Sequence, residues 1–190
     1  MPTVAIPAWS PQGVLPPINS LSATSADRSP YEVTLLDLVM RFATSQARCQ
    51  ILQGFLAYRS ELHAMGLQQG FQWVNGSFAE NVELLEMRDP KDVDVVTFLH
   101  LPTPFNPTPR QDLVLDHDHA KATFRVDAYI VEINLLPLDN LIKQSTYWYS
   151  MWSHRRNQAW KGYLQVDLSP AEDAATQTWL AAHMAGGVAP

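Results

Sequence analysis

Hydrophobic and polar positions change period several times along the chain. Apolar residues recur at helical spacing at Val33, Leu36, Val39 and Met40. Just upstream, Ser29-Pro30-Tyr31-Glu32 reads as a capping box with proline in the first turn, which predicts a helix start. Thr44 or Ser45 can cap a second helix. Ile51, Leu52, Phe55, Leu56 and Leu62 line one face of it, and Gly66 closes it. The period then shifts toward two. Phe71 to Val74 predicts a short strand ending at Asn75-Gly76-Ser77, and Val93 to Leu99 predicts another. A proline-rich loop, LPTPFNPTPRQ, covers 101–111. TFRVDAYIVEI, 123–133, is the clearest strand, because β-branched and aromatic residues alternate with polar ones. Residues 139–152 predict an aromatic-rich helix and KGYLQVDL a last strand. Ser169-Pro170-Ala171-Glu172 is a second capping box, opening a helix that ends near Gly186. Helices come first, then strands with helices between them. The expected class is α/β or α+β: a small mixed sheet with helical cover.

Composition bounds this picture. The 190 residues are 46% hydrophobic and 17% charged, enough apolar material for one core. Residues 1–28 carry prolines at 2, 7, 11, 16 and 17 among Ser and Thr, and predict an extended arm before a single domain over 29–190. The segment VLPPI within the arm can lie on a core surface. A formal net charge of -6 argues against a general nucleic-acid coat, which needs a basic stripe. It leaves room for a local basic pocket and for carboxylates that hold a cation. The single cysteine, Cys49, can make no internal disulfide, and no Cys/His zinc spacing is present. The proline-broken start does not read as a signal peptide, and no apolar run reaches the ~18 residues of a membrane span. A reducing, cytoplasmic setting is expected.

The chemistry concentrates between residues 75 and 127. Side chains alternate across a strand, so Asp92 and Asp94 share one face while Val93 and Val95 point to the core. Two carboxylates in line repel unless a cation sits between them. On the strand at 124–131, Arg125, Asp127 and Tyr129 share a face opposite Val126, Ala128 and Ile130. If the two strands are neighbours, Asp127 joins Asp92 and Asp94. Three hard oxygen ligands then suit Mg²⁺ or Mn²⁺. Such an ion is commonly completed by substrate phosphates, which calls for a cradle nearby. Gly76 lets backbone approach a ligand, and Ser77 offers a hydroxyl and an N–H. A helix starting near Ser77 would add its N-terminus. The whole would hold a nucleoside triphosphate for in-line transfer to an acceptor hydroxyl.

Gly76-Ser77, Asp92-Val93-Asp94 and Asp127 together resemble the motif set of the DNA-polymerase-β-like nucleotidyltransferases. More narrowly, LPP near the start, Arg48, NGSFAE, DPKDVDVV, VDAYIV and the pair Arg156 with Lys161-Gly162 resemble small stand-alone bacterial and phage-borne members of that superfamily. The resemblance spans roughly residues 15–168. It implies that Asp92 and Asp94 ligate two divalent metals, and that Asp127 ligates one and orients the acceptor hydroxyl. It implies that Gly76 and Ser77 hold the triphosphate, and that pyrophosphate leaves. Asn75 stands where many relatives have a second glycine, and the chain is too short for a polymerase's fingers and thumb. The acceptor stays open: a small molecule, a protein side chain or an RNA end. A second reading keeps the fold without turnover, as a partner protein in a toxin–antitoxin or phage-defence pair. A metal-dependent phosphohydrolase is a third.

Around this constellation, Arg155, Arg156 and Lys161 are the candidate phosphate contacts. Arg88 and Lys91 read as surface charges, and Asp116 to His119 as an exposed loop. His154 reads as a helix-end histidine, and Glu132 has no assigned role. Tyr147, Trp148, Tyr149 and Trp152 read mainly as packing, with one ring free to stack on a base.

Overall fold

The computed structural model describes residues 5–19 and 21–187. Residues 1–4, 20 and 188–190 of the expected arm and domain lie outside them. The chain runs β1 (Tyr31–Glu32), α1 (Leu35–Phe42), α2 (Gln46–Ala64), β2 (Gly70–Asn75), a 3₁₀ turn (Ser77–Ala79) and α3 (Val82–Glu86). It continues through β3 (Val93–Leu99), α4 (Pro109–Leu115), α5 (His117–Phe124), β4 (Val126–Glu132) and α6 (Leu138–Trp152). It ends with β5 (Leu164–Asp167), a second 3₁₀ turn (Pro170–Glu172) and α7 (Asp173–Ala185). The expected mixed α/β architecture is present. One five-stranded sheet has the order β1-β5-β2-β3-β4. Strand β2 is antiparallel to β3 and β5, whereas β3 and β4 run parallel, as do β1 and β5.

The period-two pattern sorts the sheet residues between two cores. Val74, Val93, Val95, Val126 and Ala128 enter the larger core with α1, α2 and Leu180 of α7. Trp73, Val96, Phe98 and Val131 face the other way, under Trp148 and Trp152 of α6. The molecule is therefore three-layered, with the sheet in the middle and α6 alone among the long helices on the second face. Asp94 shares parity with Val96 and Phe98, and Asp127 with Val131. Both therefore lie on the α6 face.

Local chemistry sets the element ends. Ser45 caps α2 by accepting from the Arg48 N–H, and Ile51, Leu52, Phe55, Leu56 and Leu62 are buried as expected. Gly54 sets how closely two helices approach: a Cβ there would strike the Phe124 carbonyl, so only glycine lets the end of α5 press onto α2. The interior also holds Arg59, fully buried, whose guanidinium bonds Asp173, Gln72 and the carbonyls of Asp167 and Ser169. It ties α2 to β2, β5 and α7.

Several expectations are corrected. Ser29-Pro30-Tyr31-Glu32 opens a strand, not a helix. Tyr31 and Val33 donate to the carbonyls of Tyr163 and Gln165, so the β5 edge captures them. Helix α1 starts later, capped by Thr34, and buries Leu35, Leu38, Val39 and Phe42 while Met40 is exposed. The loop 101–111 gives way to α4 at Pro109, capped reciprocally by Thr108 and Gln111. Asp116 to His119 is no loop: Asp116 caps α5 and the histidines lie in it. Strand β4 begins only at Val126, since Thr123 and Phe124 finish α5 and Arg125 takes a left-handed φ of 58°. Arg125 therefore does not share the Asp127 face. The second capping box makes a 3₁₀ turn before α7. The arm does pack: Val14 and Leu15 are buried, and Gly162 donates to the Leu15 carbonyl.

Candidate active site

Strand pairing brings the acidic residues together. Asp94 on β3 is directly opposite Asp127 on β4, and Asn75 at the end of β2 is opposite Asp94 on its other side. Asp92 stands one residue before β3, on the same parity as Asp94. Gly76 follows β2 with a φ of 80°, and a Cβ there would fall on the Asp94 carboxylate. The glycine is thus what allows the turn and the carboxylate to share the space. Ser77 opens the 3₁₀ turn rather than a longer helix. Arg48 holds that turn from behind. Its fully buried guanidinium donates to the Phe78 and Glu80 carbonyls at 2.7 and 2.6 Å and pairs with Glu83.

These residues line a cavity of about 1120 Å³ between the sheet and the end of α6. Gly76, Ser77, Asp92, Asp94, Asp127, Arg156 and Lys161 all border it. So do Arg88, Lys91 and His154, which sequence placed at the surface or gave no role. The volume is large enough for a small-molecule ligand. Two walls differ in charge. The floor carries the three aspartates. The wall beside Gly76 carries Lys161, whose Nζ is 2.6 Å from Glu80 Oε1, and Arg155, which pairs with Glu80 at 2.9 Å and Glu86 at 2.6 Å. Lys161 and Glu80 are almost fully buried. Arg156 is exposed at the rim and, among the described residues, pairs with no carboxylate. Tyr129 and Trp148 pack along one side with centroids 4.7 Å apart and their planes tilted by 50°.

Two residues that sequence reasoning passed over complete the floor. Lys121 Nζ lies 2.5 Å from Asp127 Oδ2 and 3.1 Å from Asp92 Oδ2. His117 Nε2 lies 2.5 Å from Asp127 Oδ1, and its Nδ1 is 3.1 Å from Asp118. His117 and Lys121 are four apart on α5 and so face the same way. That spacing, immediately before a strand with a central aspartate, was the available signal. Reading the stretch as a loop hid it.

The charges respond accordingly. The Asp94 pKa is pushed up to about 6, first by burial and then by the Asp127 and Asp92 carboxylates. Among the described residues no side chain pairs with Asp94. For Asp127, burial pulls the other way, but hydrogen bonds from Lys121 and His117 hold it below the usual carboxylate range. Hydrogen bonding to Asp127 raises the Lys121 pKa, and hydrogen bonding to Asp118, more than Asp127, raises that of His117. Burial, then Asp127, lifts the Tyr129 hydroxyl to about 12.

Three carboxylates are the hard oxygen donors that a divalent ion takes. Among the described residues no three acidic, histidine or cysteine side chains are posed to ligate one point, because the Lys121 ammonium stands between Asp92 and Asp127. The backbone register places the three carboxylates on one face. They already gather a cation, and Asp94 is the unbalanced member.

Fold and cavity define a mixed α/β chain with an acidic floor and a basic wall on one sheet face. The chain belongs to a family of unknown function, DUF6932, whose model matches residues 7–167. That span contains every residue of the cavity. Comparisons with curated proteins and with solved structures return no match. Among the described residues, no helix is long and apolar enough to cross a membrane.

Proposed function

We propose that the protein is a metal-dependent nucleotidyltransferase. It would move a nucleoside monophosphate from a triphosphate to an acceptor hydroxyl. The observation that carries this reading is the in-register pair Asp94–Asp127, with Asp92 beside it, on the floor of a cavity walled by Lys161, Arg155 and Arg156.

Asp92 and Asp94 would hold the metal, Mg²⁺ or Mn²⁺, next to Asp127, whose two oxygens are held by His117 and Lys121. The bound ion supplies Lewis-acid neutralisation of charge on the phosphoryl oxygens. The backbone at Gly76 and Ser77 would receive the β- and γ-phosphates, with Arg156 and Lys161 as counter-charges. Asp127 is kept ionised by Lys121 and His117, and each carboxylate oxygen retains a further lone pair. It would accept the proton of the acceptor hydroxyl. The acceptor oxygen then bonds to the α-phosphorus as the bond to the bridging oxygen breaks, and pyrophosphate leaves with that electron pair. The acceptor is a small molecule, a protein side chain or an RNA end. Cys49 is buried and unpaired, which fits a reducing compartment, so we place the activity in the cytoplasm.

Internal pairing of Lys121 with the floor and Lys161 with Glu80 supports a second reading, a partner-binding protein that keeps the fold without turnover. Thermal denaturation with ATP, GTP, CTP and UTP, each with and without Mg²⁺, separates the two. A transferase should melt several degrees higher, on the order of the shift expected for a ligand at ~100 times its Kd, only when a triphosphate and Mg²⁺ are both present. A melting curve indifferent to every combination contradicts the transferase reading.

A further inference from the structure

The floor of the cavity already contains a cation. Lys121 Nζ bridges Asp127 Oδ2 at 2.5 Å and Asp92 Oδ2 at 3.1 Å, and does not pair with Asp94. Its position is built into the fold. Helix α5 is capped at Asp116 and pressed onto α2 where Gly54 meets the Phe124 carbonyl. The left-handed Arg125 then turns the chain directly into β4, so Lys121 and Asp127 are joined by one short rigid path. From the same helix His117 holds the other oxygen of Asp127. Of the three floor carboxylates, Asp92 and Asp127 share the Lys121 ammonium, and Asp94 has no side-chain ion pair among the described residues.

We propose that Lys121 is a tethered cation that takes the place of one metal, on the Asp92–Asp127 side, and leaves a single divalent-ion position at Asp94 with Asp92. The proposal rests on the transferase reading and departs from the two-metal arrangement implied by the resemblance. An ammonium has three donors. Two are committed to Asp92 and Asp127, and the third remains for an acceptor or phosphate oxygen. Unlike Mg²⁺, it needs no octahedral shell and no dehydration before the acceptor arrives. It also keeps Asp127 ionised on the acceptor side. Lys121 is therefore a catalytic residue in this site, touching the reacting oxygens.

Mn²⁺ binding to the full chain, followed by electron paramagnetic resonance without nucleotide, tests this. The wild type should bind about one Mn²⁺ per chain, and Lys121→Met about two, the second being lost when Asp127→Asn is added. Lys121 is 43% exposed in its side chain, so its replacement should leave the fold intact, which circular dichroism checks. Two ions in the wild type, or one in both chains, overturns the tethered cation while leaving the metal site standing. That first outcome needs no variant at all. Absence of Mn²⁺ binding in both chains overturns the divalent-ion position at Asp94 and Asp92, whereas the transferase reading, whose ion is completed by substrate phosphates, stands or falls by the melting curves with triphosphate and Mg²⁺.

Discussion

The cost of gathering carboxylates falls on Asp94, whose pKa is pushed up to about 6, by burial first and by Asp127 and Asp92 next. The sign of its effect on stability is fixed by linkage. A carboxyl with a folded pKa above its unfolded 3.8 is protonated in both states below about pH 4 and costs nothing there. Between that pH and about 6 the folded state binds more protons, so stability falls as pH rises. Above 6 the full cost remains, on the order of 3 kcal/mol at its ceiling. Asp94→Asn should therefore be more stable than the wild type in chelator at pH 8, and the gain should shrink toward zero near pH 4. Urea unfolding across pH measures it. A gain that grows at low pH would contradict the charge assignment. The same variant should lose the stabilisation by triphosphate with Mg²⁺, since it removes a ligand. Gly76 adds to this residue-scale logic, because its missing Cβ is the space that Asp94 occupies.

Short elements aim these side chains, and long ones hold them. The 3₁₀ turn after β2 is only Ser77–Ala79, too short to hold itself, and α2 supports it through Arg48. Arg48→Met should cost about 3 kcal/mol, because it leaves Glu83 unpaired and two carbonyls without donors. It should also raise amide exchange over 77–80, read by mass spectrometry, well before exchange in α2. Unchanged exchange there would mean that the turn holds itself. The strands that carry Asp94 and Asp127 were legible because period-two alternation marks a face, and a central aspartate on an apolar strand needs a partner. The helix over 46–64 was legible from its cap and apolar face. Strand β1 was not, since two residues gain a ladder only from β5, far along the chain. Helices α4 and α5 were hidden by prolines and by histidine-aspartate alternation, which read as loop. With α5 went Lys121 and His117. Glu80 escaped because nothing local distinguishes a buried glutamate from a solvated one; its partners, Arg155 and Lys161, come from the far end of the domain.

The whole molecule puts a packed helical layer on one side of the sheet and leaves the other to α6 and the cavity. The acidic floor is built from neighbouring strands. The basic wall comes from the segment after α6, which also leads into β5. Gly162 anchors that segment on the arm by donating to the Leu15 carbonyl. Six of the chain's 13 lysines and arginines line the cavity, so at a net charge of -6 the basic groups are concentrated there rather than spread over the surface. The most direct test of the central claim is transfer itself. The full chain would be incubated with Mg²⁺, cell lysate and each α-labelled triphosphate in turn. Label from at least one triphosphate should become attached to an acceptor, and attachment should vanish with chelator and in Asp92→Asn. Label released only as free nucleotide or phosphate, or transferred equally well by Asp92→Asn, would contradict the account.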